Sequence, residues 1–141
     1  MKNTFACLVL CAAGTAAFAA DMADMADMKL TDAQIDAAFK VANPDNDGTV
    51  DMKEATKFGI TKKAFEAANP DKDGTLDKKE FAAAIAHQFK QANPDNDGTL
   101  DPKEAKAAGI KSQKVFEAAN PDRDGTLDIA EYLVALTNQA K

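Results

Sequence analysis

The chain has 141 residues, with 23 acidic against 17 basic side chains and a formal net charge of −6. No basic stripe exists to meet phosphates, which excludes nucleic acid as a partner. One His, two Cys and no Trp leave too little material for a nucleophile–base constellation, so an enzyme is not expected.

Taken in chain order, residues 1–19 read as an export signal: Lys2, an apolar stretch from Phe5 to Ala17, and Ala17-Phe18-Ala19 as an A-x-A cleavage site. The apolar run is short of the roughly 20 residues of a membrane span and meets Asp21 at once, so no membrane association is expected after removal. Leu10 before Cys11 argues against a lipoprotein signal. Both Cys7 and Cys11 lie in the removed segment, so the mature chain is cysteine-free and disulfides are excluded. The expected location is periplasmic or secreted. Residues 20–29 carry the period-three run D-M-A-D-M-A-D-M, which suits neither a helix face nor a strand and reads as a disordered acidic tail. Its sharper alternative is a soft-metal site on Met22, Met25 and Met28.

The folded part spans 30–141. Thr31 is a good N-cap, Gln34 completes a capping box, and Leu30 is placed to staple onto Ile35. The helix then carries Ile35, Phe39 and Ala42 on one face. A Phe recurs four residues before each of four oxygen-rich stretches: Phe39, Phe65, Phe89 and Phe116. At helical spacing these are core residues, not ligands. His87, roughly opposite the Phe81, Ile85 and Phe89 stripe, is expected to be a solvated side chain.

The oxygen-rich stretches are near copies: N-P-D-N-D-G-T-V-D-M-K-E at 43–54, N-P-D-K-D-G-T-L-D-K-K-E at 69–80, N-P-D-N-D-G-T-L-D-P-K-E at 93–104 and N-P-D-R-D-G-T-L-D-I-A-E at 120–131. Apart from Asn in place of the first Asp, each is an EF-hand calcium loop. Four carboxylates per loop account for 16 of the 23 acidic residues, so the acidity is local ligand density. The expected metal-site residues are Asn43, Asp45, Asp47, Thr49, Asp51 and Glu54 in the first loop. They are Asn69, Asp71, Asp73, Thr75, Asp77 and Glu80 in the second, and Asn93, Asp95, Asp97, Thr99, Asp101 and Glu104 in the third. In the fourth they are Asn120, Asp122, Asp124, Thr126, Asp128 and Glu131. Asn offers an amide oxygen, the two Asp that follow offer carboxylates, and Thr offers its main-chain carbonyl. Glu closes the site with both oxygens, and Asp at position 9 binds directly or through a water. Position 8 is Val50, Leu76, Leu100 or Leu127, suited to a short strand contact between two loops.

Only 14, 12 and 15 residues separate successive loops, where an ordinary pair of hands needs more than about 20. The stretch 81–92 fits only one helix, which must leave loop two and enter loop three; Gly59 and Gly109 interrupt the other connections. Odd loops start 50 residues apart and even loops 51, the mark of an internal duplication. The expected fold is all-α: a compact four-EF-hand fold of short, fused helix–loop–helix units, and a monomer. Leu, Ile, Val and Phe make up only 21 of the 122 residues left after cleavage at Ala19. So small an apolar share, with four self-repelling loops, predicts a metal-free chain that is loose and a metal that supplies much of the folding free energy.

Proline at loop position 2, Asp at position 9, the short spacing and the export signal together resemble the lanmodulin family of periplasmic EF-hand proteins. That resemblance implies trivalent lanthanides preferred over calcium, up to four ions, and collapse into a compact helical form on loading. In that family most loops begin with Asp, whereas all four here begin with Asn. Each site therefore lacks one formal negative charge, which weakens binding of a +3 ion more than of a +2 ion. The two functions expected are a carrier or buffer for lanthanide(III) ions with calcium as weaker ligand, and a periplasmic calcium buffer or partner-docking module. A sensor exposes a Met-rich groove when loaded; here Met52 is the one Met among the loops and helices, which favours the carrier. The sequence names no protein partner.

Overall fold

The computed structural model describes residues 30–141, so the expected signal and the Asp-Met-Ala tail lie outside the described residues. Within them the chain forms α1 (Asp32–Ala42), β1 (Val50–Asp51), α2 (Met52–Phe58), α3 (Lys62–Ala68), β2 (Thr75–Leu76), α4 (Lys78–Ala92), α5 (Pro102–Ala107), α6 (Gln113–Ala119) and α7 (Ile129–Ala140).

Local chemistry sets most of these boundaries. Thr31 Oγ1 accepts from Gln34 N–H and Gln34 Oε1 accepts from Thr31 N–H at 3.0 Å, the reciprocal box that starts α1. The same box opens every helix that leaves a loop, with Asp at position 9 as cap and Glu at position 12 three residues on. α4 and α7 therefore begin at Lys78 and Ile129, one turn before the buried aromatics Phe81 and Tyr132. Gly59 ends α2 in the left-handed conformation at φ 115°, which a Cβ would strain.

The connections differ in kind. Between loops two and three α4 runs unbroken for 15 residues and serves both, as its length required. Between loops one and two, and three and four, an outgoing helix, a glycine turn and an incoming helix all survive, compressed to about two turns each.

Loops pair in sequence order. Val50 and Asp51 lie antiparallel to Leu76 and Thr75, and Leu100 exchanges two 2.8 Å backbone hydrogen bonds with Leu127. All four position-8 side chains are fully buried. They join one core made from every helix, in which Phe81 packs edge-on against Phe39 and Phe58 at centroid distances of 5.4 and 5.2 Å. Phe65, Phe89 and Phe116 are buried and Phe39 is partly so. α7 packs on α1, bringing the last hand back onto the first.

His87 corrects an expectation. It is half-buried where full solvation is expected: its Nδ1 is buried without a hydrogen-bond partner, while its Nε2 lies 3.4 Å from Gln91 Nε2 on the exposed side.

Candidate metal centres

Each loop is held in shape by its own acidic side chains. The position-3 carboxylate accepts from the position-5 N–H, and the position-5 carboxylate accepts from the Thr N–H two residues on. In loop one these are Asp47 N–H to Asp45 at 3.3 Å and Thr49 N–H to Asp47 at 2.9 Å. The other loops repeat them within a tenth of an ångström. These side-chain turns let the backbone take left-handed φ at position 4 (Asn46, Lys72, Asn96, Arg123, 55° to 58°) and at the following Gly. Each such carboxylate uses one oxygen on the backbone and keeps the other for a ligand.

Position 9 has a structural duty. Asp51 accepts from Glu54 N–H at 2.8 Å while Glu54 Oε2 accepts from Asp51 N–H at 2.9 Å. Asp77 with Glu80, Asp101 with Glu104 and Asp128 with Glu131 do the same. The Asp is thus the helix cap, and the closing Glu has one oxygen turned to the backbone and one left. Among the described residues no three carboxylate, imidazole or thiol groups converge into a preformed cage.

Position 1 carries the observation that points to an ion. Asn43, Asn69, Asn93 and Asn120 are only 3 to 5 % exposed, and the Oδ1 of every one is buried with no hydrogen-bond partner. A buried amide oxygen without a donor costs about 1–3 kcal/mol. Four such oxygens at the same loop position are satisfied together if each faces a cation. The donor set of amide, carboxylates and main-chain carbonyl is all hard oxygen, which fits calcium-like ions and not thiophilic metals. The residues present therefore fit a hard cation.

The loops are not electrically identical. Burial raises the Glu80 carboxyl above its ordinary value, helped by the charges of Asp77, Asp71 and Asp73 and opposed by the Asp77 N–H. Glu131 is raised for the same reasons by burial and by Asp128, Asp122 and Asp124. Asp124 is held low by the Thr126 N–H and hydroxyl. The residues expected from the sequence at positions 1, 3, 5, 7, 9 and 12 lie in one loop each, with positions 3, 5, 9 and 12 tied to the backbone of their own loop. Sequence reasoning did not separate the capping role of position 9 from binding, although the S/T/D-x-x-E pattern was present to be read.

The helix–loop–helix units and paired position-8 strands define an EF-hand fold. The EF-hand domain pair family matches residues 19–54, a span holding the first helix and the first loop. No curated protein matches the chain. Among solved structures, the chain is similar to a homolog of programmed cell death 6 protein from Leishmania major Friedlin. The identity is 19%, over 67% of this chain and 69% of that one, with a TM-score of 0.34. The loop sequences, their geometry and the family match support a calcium-type EF-hand metal-binding chain. The lanmodulin resemblance is a finer matter.

Proposed function

We propose that this chain is an exported carrier or buffer that takes up to four hard cations, one per loop, with lanthanide(III) ions preferred and calcium the weaker ligand. The observation that carries metal binding is the set of four buried, donorless Asn Oδ1 atoms, one at the first position of each acidic loop. Asn Oδ1, the free oxygens of the position-3 and position-5 Asp, the Thr carbonyl and the remaining Glu oxygen would hold the ion. The bound ion supplies positive charge that offsets four carboxylates per loop. The position-9 Asp fixes the helix on which the Glu rides, and its second oxygen adds to the field at the site. That density of negative charge favours +3 over +2 at similar radius, since Coulomb attraction scales with charge. Neutral Asn at position 1 favours a second reading, a calcium buffer or docking module.

Titration of the metal-free mature chain with La³⁺ and, separately, Ca²⁺, followed by helical circular dichroism, decides between them. Folding by La³⁺ at much lower concentration than by Ca²⁺ supports the lanthanide carrier. Equal concentrations leave the calcium protein, and no response to either ion removes both.

A further inference from the structure

Each Glu that closes a loop sits in the first turn of an outgoing helix, and the four outgoing helices are α2, α4, α5 and α7. All four meet at one buried side-chain pair. Gln88, 4 % exposed, stands on α4. Its Oε1 accepts from Thr61 N–H at 2.7 Å, just past the end of α2. Its Nε2 lies 2.8 Å from Gly59 O at the α2 cap, 2.6 Å from Ala108 O at the α5 cap and 2.8 Å from Tyr132 Oη on α7. Tyr132, fully buried, donates its hydroxyl to the same Ala108 carbonyl at 2.7 Å. The N–H and carbonyl partners fix which end of the amide is which.

We propose that Gln88 and Tyr132 form a coupling node through which filling of one metal loop biases the other three. This rests on the metal-binding reading above. A helix that reorients as its loop fills moves its far end at the node. There one amide with two hydrogens and three acceptors cannot serve one helix end without releasing another. Glu131 is directly followed by Tyr132, and Glu80 lies two turns before Gln88 on the same rigid helix. The node lies where the duplicated halves touch backbone to backbone: a Cβ on Gly109 would lie 2.9 Å from Gly59 O and 3.3 Å from Gln88 Nε2. Gln139 provides a natural control. It occupies the equivalent place in the second half and makes equivalent bonds, Nε2 to Gly109 O at 3.0 Å and Oε1 from Lys111 N–H at 3.2 Å. It is only half-buried and hydrogen-bonds one glycine turn instead of several helix ends. Gln88 and Tyr132 are positioning residues; neither touches an ion.

The test is stepwise filling of the full mature chain with La³⁺ and with Ca²⁺, read by calorimetry and by the NMR populations of partly filled species, in wild type, Gln88→Met, Tyr132→Phe and Gln139→Met. Wild type should show few half-filled species, with a coupling factor of roughly 5- to 150-fold. Gln88→Met should bring that factor near one while reaching the same ion count and helicity at saturation, and should speed exchange of the Thr61 amide in the metal-free chain. Gln139→Met should retain the wild-type factor. Wild-type coupling in Gln88→Met, or equal losses in Gln88→Met and Gln139→Met, overturns the node while leaving metal binding intact. Uncoupled filling in wild type does the same. If Gln88→Met does not fold even when loaded, Tyr132→Phe decides, and unchanged coupling there overturns the proposal. A wild type that takes up neither ion instead removes the metal-binding reading itself.

Discussion

Replacing Asn93 by Asp isolates the atom on which the metal reading depends. Asn93 is 5 % exposed, its backbone N–H is tied to Phe89 O at 3.1 Å, and its side-chain Oδ1 has no partner. In the metal-free protein the amide oxygen already carries a desolvation cost of about 1–3 kcal/mol. A carboxylate in its place, beside Asp95 and Asp97, raises that to several kcal/mol unless it takes up a proton. Metal-free Asn93→Asp should therefore unfold at lower urea than wild type. Loading reverses the sign. At an effective dielectric near 20 and about 4 Å, a new unit charge gains about 4 kcal/mol per unit of ion charge. A +3 ion then gains up to about 4 kcal/mol more than a +2 ion, an upper bound of roughly a thousandfold in the La³⁺ to Ca²⁺ affinity ratio at that loop. Urea denaturation of the metal-free forms and chelator competition with each ion measure the two halves. Unchanged metal-free stability together with an unchanged affinity ratio would mean that the atom does not face an ion, and the assignment of all four loops would fall with it.

Two further outcomes follow from the same geometry. Gly48→Ala should destabilise by only the left-handed penalty of about 1–2 kcal/mol, because its φ is 94° and nothing lies within 4 Å of the added Cβ. Gly109→Ala has the same penalty at φ 95° and also sets a Cβ 2.9 Å from Gly59 O, so overpacking should add about 1–3 kcal/mol; equal losses by urea denaturation would refute the close approach of the halves. The acid response has a definite sign. The raised carboxyls of Glu80 and Glu131 contribute stability that is complete below their unfolded value and lost as pH rises through their folded value. Metal-free chain should thus gain helicity and melting temperature between pH 7 and about pH 4.5, and Glu80→Gln with Glu131→Gln should flatten the gain. Asp124, held low, opposes this only in more acidic solution. A steady fall in helicity over the same range would contradict the burial of the two Glu.

Short-range chemistry was legible because it repeats. Thr31 with Gln34, the Phe before each loop, the position-8 apolar residues and the single helix demanded by a 12-residue gap all act over a few residues, and the structure keeps each of them. His87 failed because helical phase gives the direction of a side chain but not what neighbouring elements lay over it. The position-9 Asp reads as a ligand in the sequence because its oxygen serves either purpose; only the 2.8–2.9 Å bonds from the Glu N–H groups show that it caps the helix.

The sequence by itself determined four oxygen-rich loops, their glycine hinges and the capping box that starts α1, since each depends on residues within one or two turns of one another; the 50- and 51-residue recurrence of those stretches marked the internal duplication. Tertiary structure alone decided that loops pair one with two and three with four, that the Asn Oδ1 atoms are sealed from donors, and that four helix ends meet at Gln88. The loop pairings and the Gln88 contacts join residues 20 to 44 positions apart, where no local propensity reaches and only packing of one small core around α4 selects the partners.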